Sequence, residues 1–245
     1  MKITNTKSNT SISEITNGIF RISTPIPPNP SLPTGFTFNQ FLIVDEKPLL
    51  FHTGPKKLFP LVYEAIETII PVSTLRYIGF SHFEADECGS LNEFLAKAPN
   101  AIPLCSMIAK MVSVDDMANR EAHGMSDGES LSLGDHKVRW LDTPHLPHGW
   151  ECGYLFEETT KTLFCGDLFT QAGSEHQPLT EEDILAPSEA MRAQMDYFSH
   201  TKNAEVLIAK LASTEPNILA CMHGSSWKGN GAQLLGSLAL ALASN

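Results

Sequence analysis

The chain has 245 residues, 42% of them hydrophobic and 18% charged, a balance that supports a packed core and excludes a disordered chain. Its 17 Lys and Arg against 28 Asp and Glu leave a net charge of −11, which repels the phosphates of nucleic acid and anionic lipid surfaces alike. Length does not force a second domain, and residues 1–245 read as a single domain.

The opening segment MKITNTKSNTSISEITNGIF holds no apolar run long enough for a secretion signal, and no later stretch reaches membrane-spanning length. A cytoplasmic protein that binds neither nucleic acid nor membrane is expected. GIFRIST and FTFNQFLIVD read as early strands, and the prolines of TPIPPNPSLPTG between them forbid a long helix. From Pro48 onward, the β-rich runs PLLFHT, TLRYIGF, KVRWLD, CGYLFE, KTLFCGD and NILACMHG interleave with helical stretches. Those stretches are KKLFPLVYEAIETII and EAMRAQMDYFSHTKNAEVLIAKL, with AQLLGSLALALAS as a last helix. Strands outnumber long helices and several follow one another directly, so the pattern is α/β with two sheets covered by outer helices. Five cysteines scattered through a long chain predict free thiols and no disulfide framework.

Acids and histidines collect where strands end, the places where a rigid scaffold feeds variable loops. His82, Glu84 and Asp86 follow the apolar run YIGF at i, i+2 and i+4, a spacing that in extended backbone sends three side chains to one side. Taken alone, the same acids could simply cap the helix that begins near Ser90. Three further residues favour a metal. His148 lies in DTPHLPHGW, Asp167 ends TLFCGD with eighteen residues between them, and His223 lies in CMHGSSW.

H-x-E-x-D, then H-x18-D after a Thr-Pro turn, then a late strand ending in His-Gly, resembles the metallo-β-lactamase superfamily from about Phe36 to Trp227. The resemblance implies an αββα sandwich. Hydrolases of that superfamily usually carry His where Glu84 stands, and Glu there resembles the flavodiiron proteins and related oxygen-binding di-iron proteins. By that resemblance one metal takes His82, Glu84 and His148, the other takes Asp86 and His223, and Asp167 bridges them. Exchanging a nitrogen donor for oxygen hardens the site and moves preference from zinc toward iron or manganese. The implied function is a di-iron centre that binds or reduces dioxygen, as a sensor or as the oxygen-reducing half of a larger system.

The sequence departs from the flavodiiron pattern at Glu87, which follows Asp86 where that family usually has His. Counted as a further ligand, Glu87 joins Glu84, Asp86 and Asp167 in balancing the charge of two divalent ions; otherwise it faces solvent or a lysine. His52, in LLFHTG, stands where the superfamily usually has Asp beside a Thr-Gly turn and is expected to hydrogen-bond structurally. His145 competes with His148, but only His148 gives the eighteen-residue interval. Cys88, Cys152, Cys165 and Cys221 lie near these residues and suit tight packing at strand ends. Tyr154, Tyr197, Trp150 and Trp227 are candidates for a pocket wall.

No bound flavin is expected, because the chain ends at Asn245 without a flavodoxin-like domain; a separate electron donor or signalling protein, and a homodimer, are expected instead. The rival reading is a dinuclear zinc hydrolase acting on a small-molecule ester, thioester or phosphodiester, and a third is an interaction module that has lost its metal.

Overall fold

The computed structural model describes residues 1–243. Its first half runs β1 (Lys2–Asn5), β2 (Thr10–Thr16), β3 (Ile19–Ile26), β4 (Phe36–Ile43), β5 (Leu49–Phe51), α1 (Phe59–Glu67) and β6 (Tyr77–Gly79). There follow α2 (Ala85–Cys88), α3 (Leu91–Lys97) and β7 (Ile102–Ser106), then α4 (Met107–Ala109), a π-helical run Lys110–Val114, α5 (Asp115–Met117) and β8 (His123–Met125). The second half runs β9 (Ser130–Ser132), β10 (Lys137–Asp142), β11 (Gly153–Glu157), β12 (Thr162–Phe164) and β13 (Leu179–Thr180). It continues through α6 (Leu185–Met195), α7 (Ala204–Ala212), β14 (Ile218–Ala220), β15 (Ser226–Lys228) and α8 (Gly231–Ala243).

The strands form two sheets. One has eight strands in the order β1 to β8, and the other has seven in the order β13-β15-β14-β12-β11-β10-β9. Between them lies one apolar layer, to which Phe41, Phe51 and Leu104 come from the first sheet and Trp140, Leu155 and Phe164 from the second. The outer face of the first sheet packs Leu42, Leu50 and Ile78 against α1 and α3. The outer face of the second packs Phe156, Leu163 and Leu219 against the last three helices. This is the αββα sandwich that the strand-rich pattern implied. The helix α1 shows why the layers close: Val62, Ala65 and Ile66 recur at i, i+3 and i+4 and are all buried, and Pro60 occupies the first turn, where no N–H is needed.

Register decides which strand ends meet. Phe51 pairs with Gly79 across the parallel β5 and β6, so His52 and the loop carrying His82 leave the first sheet at one edge. Phe164 pairs with Ala220 across the parallel β12 and β14, so Asp167 and His223, each three residues on, leave the second sheet side by side.

Some expectations need correction. EAMRAQMDYFSHTKNAEVLIAKL is two helices, because Asp196 adopts a left-handed conformation (φ 48°) that ends α6 by bonding back to Arg192. The N-terminal strands β1 and β2 and the helical segment between β7 and β8 were not foreseen. All five cysteines are free and buried, as expected. The expected last helix extends one residue, Ser244, outside the described residues. Among the described residues no helix is long and apolar enough to cross a membrane.

Candidate metal centre

The loop after β6 carries the first candidate ligands. Glu84 is still extended (φ −138°, ψ 158°) and precedes α2, whose first turn contains Asp86 and Glu87. The three spaced side chains therefore do not share one extended strand. A helix turns its side chains by about 100° per residue, so Asp86 and Glu87 diverge. Asp86 reaches to within 3.4 Å of His223 Nε2. Glu87 turns inward.

His82, Glu84, His148 and Asp167 offer ligand atoms that all lie within 4.8 Å of one another. Glu84 Oε2 is 3.0 Å from both His82 Nε2 and His148 Nε2, which are themselves 2.9 Å apart. Asp167 divides its carboxylate: Oδ2 stands 3.6 Å from His82 Nε2 and 3.5 Å from His148 Nε2, while Oδ1 stands 3.2 Å from His223 Nε2. Oδ1 is buried and makes no well-formed hydrogen bond.

Each imidazole is anchored through its other nitrogen. His148 Nδ1 donates to the Tyr197 carbonyl at 2.8 Å and His223 Nδ1 to the Thr37 carbonyl at 2.7 Å, which leaves both Nε2 lone pairs free for the cluster. His82 Nδ1 meets Ser81 Oγ at 2.9 Å. Phe36 stacks on the His223 ring, with centroids 4.3 Å apart, and fixes its plane further.

The electrostatics call for positive charge. Hydrogen bonds from His148 and His82 lower Glu84 to about 2 against the opposing effect of burial. Burial would raise Asp167, but His223, His82 and His148 outweigh it and hold the carboxyl well below its ordinary range. Burial would likewise lower His223, but Asp167 and Asp86 push it up to about 10. These carboxylates and imidazoles converge with their donor atoms facing inward, and cations between them would satisfy all of them together. The residues present fit a metal centre.

Glu87 is excluded from that convergence, which corrects its expected place among the ligands. It is fully buried, with Oε2 3.0 Å from His52 Nε2 and accepting from the Ser81 N–H at 3.0 Å. Its Oε1 stands 3.7 Å from Nδ1 of His82, behind the ring, whereas Nε2 faces the cluster. The structural role expected of His52 is the partnership it makes with this carboxylate. The sequence marked both positions as unusual but could not show that they face each other. His145 is exposed and lines a separate cleft with Arg192 and Phe198, away from the four-residue cluster. Of the aromatic candidates, Tyr197 touches the site through its carbonyl and donates its hydroxyl to the Asp167 carbonyl, while Tyr154 is buried behind it and Trp150 is 56% exposed. Ser81, Thr37 and Phe36 hold the imidazoles and were not foreseen; their signal is adjacency to ligands or to the strand that meets them, which spacing does not reveal.

A two-sheet sandwich with carboxylates and imidazoles gathered at one rim defines the metallo-β-lactamase class of fold, in the form found in flavodiiron cores. Residues 36–224 match the family described as ODP family beta lactamase, and the chain belongs to that family. Curated relatives include the putative diflavin flavoprotein A 1 of Nostoc sp., 27% identical over 210 residues, which cover 81% of this chain and 36% of that protein. Another is the anaerobic nitric oxide reductase flavorubredoxin of Pectobacterium atrosepticum, 24% identical over 215 residues that cover 82% of this chain and 41% of that protein. The chain thus spans well under half the length of these relatives. Among solved structures, the rubredoxin oxygen:oxidoreductase of Desulfovibrio gigas superposes with a TM-score of 0.78 at 20% identity, covering 95% of this chain and 60% of that one. A fragment of the putative diflavin flavoprotein A 5 of Nostoc sp. gives 0.80 at 17% identity, covering 96% and 94%.

Proposed function

We propose that this chain holds two iron ions and uses them to bind or reduce a diatomic oxidant, dioxygen or nitric oxide. The observation that carries the reading is the division of the Asp167 carboxylate, one oxygen toward His82 and His148 and the other toward His223. His82, Glu84 and His148 would hold one ion, Asp86 and His223 the other, and Asp167 would join them. A carboxylate has two oxygens to share between metals, which suits it to that position. Three carboxylates among six ligands favour iron or manganese over zinc.

When bound, a ferrous pair supplies electrons and a place for the oxidant to bind. Tyr197, Thr37 and Ser81 keep the three imidazoles aimed inward, so the ligand atoms need little reordering on loading. Reducing dioxygen fully to water takes more electrons than a ferrous pair holds, so sustained turnover requires a separate electron donor, whereas a sensor would not. Membership of a family whose relatives include a nitric oxide reductase flavorubredoxin and a rubredoxin oxygen:oxidoreductase by name supports an oxidoreductase more than a hydrolase. A cytoplasmic homodimer belongs to the same reading.

The test is gas uptake by anaerobically prepared ferrous protein, followed with an electrode for each gas alongside iron oxidation by absorbance. Uptake in proportion to bound iron, sustained when a chemical reductant is supplied and abolished in Asp167→Asn, is the expected result. Iron-loaded protein that consumes neither gas would contradict the reading, as would rapid ester hydrolysis by zinc-loaded protein.

A further inference from the structure

A cavity of about 840 Å³ lies away from the metal cluster, with Thr37, whose carbonyl accepts from His223 Nδ1, in its wall. A buried arginine also lines it. Arg21 sits on β3 and is 2% exposed. Strand alternation puts Arg21 and Ser23 on the same face as Ile19, which belongs to the apolar layer between the sheets. Opposite them on β2, Ser13 pairs with Arg21 and Ser11 with Ser23, so a polar patch interrupts that layer where apolar side chains would be expected.

The patch is poorly satisfied. Arg21 Nη2 donates to the Gly224 carbonyl at 2.7 Å, but Nε has no hydrogen-bond partner, and neither Ser13 Oγ nor His176 Nε2 has one. No carboxylate makes an ion pair with Arg21 among the described residues, and burial lowers its pKa to about 10. His176 also lines the cavity, and its pKa is lowered by burial and by the positive charge of Arg21. A buried guanidinium without an anion is costly, and folded proteins retain such groups where something pairs with them. Its planar fork matches a carboxylate or a phosphate. Lys7 adds a further cation to the lining, whose single acid, Glu175, is exposed. The rest of the wall mixes Ser, Thr, Asn and Gln side chains with an apolar side built from Ile3, Pro25, Ile26, Pro27, Leu58 and Leu61.

We propose that this cavity binds a small molecule with an oxyanion head, carboxylate or phosphate, set against Arg21 and His176, and an apolar body along the Pro25–Pro27 and Leu58–Leu61 walls. The site is separate from the metal ligands. It is joined to them through Arg21 and Gly224 and through Thr37 and His223, so its occupant rests against the loop that carries one ligand.

Calorimetric titration of the metal-loaded protein with octanoate and hexyl phosphate, with octanol as neutral control and chloride at matched ionic strength, tests this. Saturable binding of one anion per chain is expected, with octanol much weaker. Losing a charged hydrogen-bonding partner should weaken binding about tenfold or more in Arg21→Met. If Arg21→Met fails to fold by circular dichroism, Leu61→Glu, on a partly exposed position of α1, serves instead: it places a negative charge in the cavity and should abolish anion binding while leaving metal content unchanged. Absence of saturable binding would overturn the proposal. So would octanol binding as well as octanoate, or folded variants that bind the anions as tightly as the parent.

Discussion

Asp167 presents one oxygen to each half of the cluster, so Asp167→Ala should lose at least one of two metal equivalents and with it the stability that metal binding adds to the folded state. Metal analysis and thermal unfolding check this; full occupancy in the variant would contradict it. The same measurement should separate the two neighbouring histidines, with His148→Ala depleted of metal and His145→Ala close to the parent. Glu87 behaves differently. Glu87→Gln should keep metal stoichiometry near the parent yet lose about 3–5 kcal/mol of stability, because it breaks a buried pair and leaves His52 without its carboxylate. Loss of metal without loss of stability would return Glu87 to the ligand set. The six candidate ligands were picked out in the sequence by their order and spacing at strand ends together with the family resemblance that these carry. The direction of Glu87 was not legible, since it depends on where α2 begins and on a partner distant in sequence.

At the scale of elements, the approach of β12 to the loop after β6 depends on Gly166, whose φ of +47° and lack of a side chain let the backbone come close. A Cβ there would stand 2.6 Å from Ser81 Oγ, the group that anchors His82. Gly166→Ala should therefore displace Asp167 from His82, lowering both metal affinity and thermal stability, and an unperturbed variant would show that this approach is not needed. On β11, burial alone would raise Glu157, but hydrogen bonds from Thr160 and Thr159, with His136 at 3.1 Å, lower it below 4.5. A lowered folded-state pKa means stabilisation that is present above 4.5 and lost as pH falls through the folded value. Denaturant titrations should show Glu157→Gln less stable than the parent at neutral pH, with the gap closing in acid; a gap constant with pH would contradict this. Long periodic elements such as α1 could be read from sequence. The break at Asp196 could not, because helical pattern continues across it and only the backbone conformation of one residue ends the helix. TSISEIT does not alternate, because Ile12 and Ile15 stand three apart and the register shifts between Glu14 and Thr16, and this concealed β2, whose burial comes from pairing with β3.

For the molecule as a whole, the two-sheet arrangement followed from the number and adjacency of the strands, and the parallel pairing of β5 with β6 and of β12 with β14 turned separate motifs into one site. The cavity beside Arg21 was invisible in the sequence, since its lining comes from the first strands, α1 and the segment around His176, and no spacing links them. The choice between a di-iron oxidoreductase centre and a zinc hydrolase also belongs to this scale, because it depends on which metal the assembled site retains. Metal analysis of protein purified anaerobically without added metal tests it most directly. Iron near two per chain, with little zinc, is the expected result; zinc as the principal metal, or less than one metal per chain, would contradict the di-iron reading.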